Sequence, residues 1–276
     1  MPATATTTDS IASRAGDGHR DPVPGVAASY TSLSLFRRWF AGGGVPALMY
    51  HKLGPRPKGV RLRGLYVDAA LFRRQLGELA ASGYSTVFPE SWTDEDTADS
   101  RRIGLTFDDG FENVLRHGLG PLSVHGFQAI QYLVSGLLGK TNEWEQRQGE
   151  AVERLMDVSQ VREWLGAGHR IGAHTRSHPW LTRIPLAEAR EEIRSSKAML
   201  EDAFGVPVLD FCYPYGDWNP AVRDVVMESG FRTACTTASG LNRPSGHRFQ
   251  LRRLTARHTS LQWRTLGAWL RLLWAR

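Results

Sequence analysis

Short apolar runs alternate along the chain with longer segments in which apolar residues recur at helical spacing. The runs predict strands, because apolar runs of this length between turn residues are typical of buried strands. They cover residues 45–51, 84–88, 103–107, 128–134, 170–173, 208–212 and 231–236. The segments with helical spacing cover residues 68–82, 111–119, 159–167, 186–204, 220–229 and 261–274. Strands that alternate with helices predict an α/β fold with a mostly parallel sheet, and this number of units in one domain predicts a (β/α) barrel, incomplete or distorted.

Several of the predicted helices carry boundary signals. Asp68 is a candidate N-cap of the first helix and Gly83 is its stop, while Ser159 is a candidate cap of the third. Residues 140–150 are polar and predict an excursion from the barrel between a strand and the next helix.

The first 44 residues differ from the rest of the chain. Residues 1–44 are rich in Ala, Thr, Ser, Gly and Pro and predict a disordered tail, which leaves residues 45–276 as the barrel domain. Within the tail, residues 33–40 place Phe36 and Trp39 on one apolar helical face. That face is predicted to cap the domain, with contact to a membrane or a partner as the alternative.

Composition restricts the expected partners and localisation of the protein, but it does not indicate which reaction the protein catalyses. The chain of 276 residues carries a formal net charge of +6, and its basic residues are scattered. Without a zinc-finger or RNA-binding motif, no nucleic-acid partner is expected, whereas an anionic polymer or membrane surface is favoured. The start lacks the basic and apolar pattern of a signal peptide, and no run reaches the length of a membrane span, so we expect a cytoplasmic protein. The oligomeric state stays open.

The two cysteines, Cys212 and Cys235, exclude a disulfide framework. Two reduced, buried thiols are therefore expected.

Candidate chemistry lies at the ends of the predicted strands. Asp108 and Asp109 end the run 103–107 directly before a glycine, where one carboxylate could hold a cation while its neighbour takes a proton. Taken alone, the pair is equally consistent with a surface turn. His174 and His178 follow another predicted strand, and with Asp109 they would make the two-histidine, one-carboxylate set of catalytic zinc sites.

Two further strand ends are candidates. The stretch 211–216, which reads Phe-Cys-Tyr-Pro-Tyr-Gly, could direct backbone N–H groups at a developing oxyanion, or could be only an aromatic turn. His51 ends the run 45–51 and could donate a proton to a leaving group, or could be a buried structural histidine.

Together these stretches resemble the polysaccharide deacetylase family, also called carbohydrate esterase family 4 or the nodulation-type deacetylase domain. The sequence Thr-Phe-Asp-Asp-Gly at 106–110 and His-Thr-Arg-Ser-His-Pro at 174–179 match its first two motifs. The resemblance implies a seven-stranded incomplete barrel that removes N-acetyl groups from an N-acetylated sugar polymer or oligosaccharide. It implies Asp108 as the general base and a divalent metal, most often Zn²⁺. The implied metal ligands are Asp109, His174 and His178.

The third motif departs from the commoner family pattern. Many members have an Arg there that orients the base, but this chain has Cys212, so Arg253 is a candidate replacement. The Phe-x-Tyr-Pro-Tyr-Gly form resembles the branch of exopolysaccharide poly-N-acetylglucosamine deacetylases, and the backbone N–H of Tyr215 matches the oxyanion donor. In that branch the acid motif moves to the start of the domain, which makes His51 the general acid and His258 its rival.

Three tryptophans, Trp144, Trp180 and Trp218, could stack on a sugar ring, although packing in the core is at least as consistent with the sequence. Two other functions stay open. One is a deformylase or deacetylase of a lipid-linked sugar or small amide. The other is a carbohydrate-binding protein with a degenerate site, against which the four intact motif residues argue.

Overall fold

Nine of the described strands form one parallel sheet that curls into an incomplete barrel. The structure is a computed structural model that describes residues 29–30, 43–95, 101–146 and 149–256. Its strands are β1 Ser29–Tyr30, β2 Ala47–Tyr50, β3 Lys52–Leu53, β4 Tyr66–Val67, β5 Ser85–Thr86, β6 Arg102–Phe107, β7 Ile130–Leu133, β8 Arg170–Ala173, β9 Asp210–Cys212, β10 Thr233–Cys235 and β11 Leu254–Ala256. Its helices are α1 Ala69–Ala81, α2 Glu112–Val124, α3 Glu143–Gln146, α4 Val158–Gly166, α5 Leu186–Phe204 and α6 Pro220–Glu228.

The order of the strands confirms the predicted barrel. The sheet runs β1-β11-β2-β6-β7-β8-β9-β10, β5 pairs with the start of β6, and β3 and β4 form a separate pair. Without the two-residue strands β1 and β5, seven strands remain. Leu251 pairs in parallel with Cys235 of β10, and Leu254 pairs with Leu48 of β2. The segment that leads into β11 therefore joins the two ends of the sheet.

Side chains alternate along β6 between two environments. Ile103, Leu105 and Phe107 are buried in the large apolar layer between the sheet and the helices. Thr106 and Asp108 alternate with them and contact Arg253 instead, because successive side chains of a strand point to opposite faces. The strand thus delivers a carboxylate to the barrel interior directly at its end.

The structure confirms the predicted N-cap of one helix and contradicts that of another. The Asp68 carboxylate caps α1 by accepting from the N–H groups of Ala70 and Leu71, and Gly83 follows the helix at φ +75°, as predicted. For α4 the predicted cap is wrong. Asp157, not Ser159, accepts from the N–H of Gln160, whose side chain accepts from the Asp157 N–H in return.

The segments predicted from residues 33–40 and 261–274 lie outside the described residues. Ser29–Tyr30, inside the segment predicted as a disordered tail, pair in parallel with Thr255 and Ala256. The boundary at residue 45 stays a prediction.

Cys212 and Cys235 are free and buried, as expected. Within the part of the chain that the structure describes, none of the helices combines the length and apolar character that crossing a bilayer requires.

Candidate active site

The candidate residues meet at one mouth of the barrel. His51 follows β2, Asp108 and Asp109 follow β6, and His174 follows β8. Tyr215 lies two residues after Tyr213, in the turn that follows β9. Because the strands are parallel, their carboxyl ends share one rim, and this rim is where barrels of this kind carry their sites.

Asp109, His174 and His178 form a compact set of ligand atoms. The Asp109 Oδ1 atom is 3.3 Å from Nε2 of His174 and 3.3 Å from Nε2 of His178. One ligand atom from each of the three side chains lies within 4.8 Å of the others, and all three side chains are buried. Burial alone would raise the pKa of Asp109, but hydrogen bonds from the two histidines hold it well below its usual value.

The donor set fits a divalent cation of the zinc type. One carboxylate and two imidazoles with room for water is the composition of catalytic zinc sites. The Nδ1 atom of His174 lies 2.7 Å from the carbonyl oxygen of Cys212, and that contact assigns a proton to Nδ1, so that a cation at Nε2 would replace the proton shared there with Asp109. The three predicted ligands are therefore brought together, and the proton on Nδ1 of His174 makes its Nε2 the metal-binding atom.

A buried arginine holds the candidate base. Nη1 of Arg253 is 2.6 Å from Oδ1 of Asp108, and Nη2 is 2.8 Å from Oδ2. The guanidinium also donates to the carbonyl of Thr236 at 3.0 Å and to Oγ1 of Thr106 at 3.1 Å. Burial works to raise the pKa of Asp108, but the Arg253 charge keeps it below the usual value, so the carboxylate is ionised at neutral pH. The geometry supports the hypothesis that Arg253 replaces the Arg absent from the third motif.

His51 and Tyr215 complete the predicted set. Nε2 of His51 is 3.8 Å from Oδ2 of Asp108, and its side chain keeps 17% of its surface exposed at the mouth. His258, the rival acid, lies outside the described residues. The backbone of Tyr215 adopts φ 60° and ψ 2° in the turn after β9.

Backbone strain within the described residues is concentrated at this site. The non-glycine residues with positive φ are Asp109, Thr175, His178 and Tyr215. The left-handed region costs an ordinary residue about 1 kcal/mol or more and persists only where surrounding contacts enforce it. The strain redirects the chain directly at or beside the candidate ligands, and the burial of these ligands excludes a surface turn.

One residue that supports the ligand loop is not indicated by the sequence motifs. Glu192 of α5 is buried and accepts from the N–H groups of Arg176 and Ser177 at 2.9 and 2.8 Å, and from the Ser177 hydroxyl at 2.8 Å. The helix carboxylate thereby fixes the loop that carries His174 and His178. Helical spacing places this position on the inner face of α5 but does not indicate which loop it meets.

The tryptophans occupy different positions. Trp144, in the segment predicted as an excursion, stacks on His178 with ring centroids 4.5 Å apart. The Trp180 ring lies 4.0 Å from that of Tyr215 on one face, and Arg183 covers its other face at 4.1 Å. With both faces of Trp180 occupied, the sugar-stacking hypothesis does not fit this arrangement. Trp218 packs 6.1 Å from Tyr213.

Comparison with known proteins agrees with the fold and the motifs. The family model described as polysaccharide deacetylase matches residues 95–234. YxkH of Bacillus subtilis (strain 168), assigned to the polysaccharide deacetylases, is 22% identical over 200 residues, which are 71% of this chain and 65% of YxkH. The chain thus spans slightly less than two thirds of that relative.

Two solved structures share the architecture. The deacetylase PplD of Streptococcus pyogenes in complex with acetate has a TM-score of 0.67 at 21% identity, over 78% of this chain and 92% of PplD. IcaB from Ammonifex degensii has a TM-score of 0.68 at 24% identity, over 83% of this chain and 97% of IcaB.

An incomplete parallel barrel with its acidic and histidine residues gathered at the carboxyl rim defines the class of protein. The chain belongs to the polysaccharide deacetylase family.

Proposed function

We propose that the protein is a metal-dependent hydrolase that removes N-acetyl groups from an N-acetylated sugar polymer or oligosaccharide. The observation that carries the proposal is that a set of candidate metal ligands and a candidate base lie side by side at one rim of the barrel. Asp109, His174 and His178 converge through their ligand atoms, and Asp108 beside them is held by Arg253. The family membership and the acetate complex of PplD favour this chemistry.

The residues have separate roles. Asp109, His174 and His178 would hold the divalent cation, which would polarise the amide carbonyl and lower the pKa of the attacking water. Asp108 takes the proton from that water, and Arg253 fixes the direction in which its carboxylate faces. The low pKa of Asp108 keeps it ionised and ready to accept.

Two groups act on the amide itself. The backbone N–H of Tyr215 stabilises the negative charge on the carbonyl oxygen in the tetrahedral state. His51, partly exposed at the mouth, donates a proton to the departing sugar amine. The bond between the carbonyl carbon and the nitrogen breaks, and acetate and a free amine are released.

The substrate we favour is an exopolysaccharide of the poly-N-acetylglucosamine type. The third motif and the position of His51 at the start of the barrel support this choice. A lipid-linked N-acyl sugar is the second candidate, favoured by the apolar residues within 33–40.

Acetate release tests the proposal. The purified, zinc-loaded protein is incubated with N-acetylglucosamine oligomers, and free acetate is measured with and without a chelator. We expect acetate release that stops with the chelator and returns with zinc. Asp108→Asn should lower kcat by about 10²-fold or more, because a positioned general base contributes this much. Asp202→Asn, an exposed change on α5, is the matched control and should leave kcat unchanged.

Zinc-bound, folded protein that releases no acyl group from any N-acetylated or N-formylated sugar would contradict the proposal. Sugar binding that survives removal of the metal, without turnover, would indicate the degenerate carbohydrate-binding protein instead.

A further inference from the structure

The two histidine ligands of the candidate site are oriented in different ways. His174 has a carbonyl partner for Nδ1, which fixes its ring. Nδ1 of His178 is buried and has no hydrogen-bond partner among the described residues. Ligand histidines usually depend on such a partner, because rotation about the outer side-chain bond otherwise has a broad energy well. Nε2 of His178 faces Asp109, so on the Nδ1 side contacts other than a hydrogen bond must set the direction of the ring.

Aromatic rings enclose His178 on two sides. The indole of Trp144 stacks against its face at 4.5 Å, with the ring planes 24° apart. The ring of Tyr215 meets it edge-on at 4.6 Å and 73°. Tyr215 is supported from behind by Trp180, whose ring is parallel to within 4°. The imidazole therefore lies in a slot whose two walls have different orientations, and rotation of its plane would collide with one of them.

The Trp144 wall is anchored by a buried ion pair. Glu145, the next residue of α3, accepts from Nζ of Lys52 at 2.5 Å and from Nδ2 of Asn142 at 2.6 Å. Lys52 is only 2% exposed and directly follows His51 in the chain. This ion pair ties the short helix that carries Trp144 to the segment that carries the candidate acid His51. The backbone that positions the indole is therefore held in place.

We propose that Trp144 is a positioning residue, whose indole, with the ring of Tyr215, holds the His178 imidazole in its metal-binding orientation in place of a hydrogen bond to Nδ1. The inference rests on the proposed function, in which His178 is a metal ligand. It gives the excursion 140–150 a defined part in the site, although no sequence motif marks it.

Zinc affinity measured by competition with a chromogenic chelator tests the proposal directly. Trp144→Leu removes the aromatic ring that stacks on His178, and Trp144→Phe keeps an aromatic ring there. We expect the Leu variant to bind zinc about tenfold more weakly or worse, the usual cost of losing the group that orients a ligand, and the Phe variant to stay within about threefold of the parent. With cobalt in place of zinc, the absorption spectrum of the Leu variant should shift, since it reports the ligand geometry.

Trp164→Leu is the matched control. Trp164 is buried and packs on the ring of His169 at 4.2 Å, but His169 is not among the ligands. This variant should lose stability while its zinc affinity stays unchanged. If Trp144→Leu does not fold, Trp144→Met removes the aromatic wall with a smaller loss of volume and is measured in its place.

A folded Leu or Met variant with the parental zinc affinity and cobalt spectrum would overturn the proposal. This failure is distinct from failure of the proposed function, in which the parent protein itself would bind no zinc or release no acetate. In the supported case kcat falls in the Leu variant, KM changes little, and the Phe variant recovers most of the activity.

Discussion

At the scale of single residues, the pairing with Arg253 holds the carboxylate of Asp108, the candidate base. Arg253 is fully buried, and Asp108 is its acidic partner. The third motif has Cys212 where the family usually has the Arg that orients the base. The sequence therefore indicates that a guanidinium from elsewhere in the chain takes this role. It cannot identify Arg253 as the donor with certainty, because 145 residues separate the pair and only the closure of the barrel brings them together.

Removal of Arg253 should leave a buried charge without its partner. We expect Arg253→Met to lower the free energy of unfolding of the metal-free protein by about 3–5 kcal/mol at neutral pH, as for other buried pairs that lose one member. Arg252→Met, an exposed change one residue earlier, should have little effect. Urea unfolding measures both.

The same pair of variants has a defined pH dependence. Asp108 has a folded pKa below its usual value of 3.8, so the stability it contributes is present above that pH and is lost as the pH falls through the folded pKa. In Arg253→Met, burial raises the pKa, and protonation removes the unpaired charge at higher pH. The gap in stability between parent and variant should therefore narrow as the pH falls toward 4. A gap that is constant from pH 7 to pH 4 would show that the contact is not electrostatic.

At the scale of elements, local signals account for what the sequence predicts well. The bounds predicted for the helix 186–204 and the strand 170–173 are confirmed by α5 and β8, because helical spacing and a short apolar run are local properties. The sequence of residues 140–150 predicts only a polar excursion. Its burial of Trp144 and Glu145 depends on His178 and Lys52, partners that lie far away in the chain and leave no period in the sequence.

The contact of α5 with the ligand loop gives a prediction at this scale. Glu192→Leu preserves the approximate size of the side chain but removes the acceptor for two N–H groups of the loop. We expect a loss of about 1–3 kcal/mol in the free energy of unfolding, because unsatisfied donors carry this cost, together with weaker zinc binding. The exposed neighbour Glu191→Leu is the control. Equal zinc affinity in the two variants would show that Glu192 does not position the loop.

At the scale of the whole molecule, the proposed cation ties the site to the stability of the barrel. Its ligands come from the ends of β6 and β8, so a cation bound there holds separate strands together. Zinc at about 100 times its Kd should raise the free energy of unfolding by about 2.7 kcal/mol, if the unfolded chain does not bind it.

Thermal unfolding with and without zinc provides the measurement. We expect a rise in Tm of several degrees for the parent, since a domain of this size gains about 2–4 °C per kcal/mol. Asp109→Asn, which lacks the shared carboxylate ligand, should show little or none of this rise. An equal rise in both proteins would place the stabilising zinc elsewhere on the chain.

The closure of the barrel through the segment 251–256 also orders events during synthesis. A ribosome makes the chain from its N-terminus, so Asp108 emerges 145 residues before Arg253. Until that segment follows, β2 has no neighbour on its β11 side, and Asp108 can be buried only without its arginine partner. Translation therefore delivers the base early and its counter-ion late, and the active site matures only when nearly the whole barrel has been made.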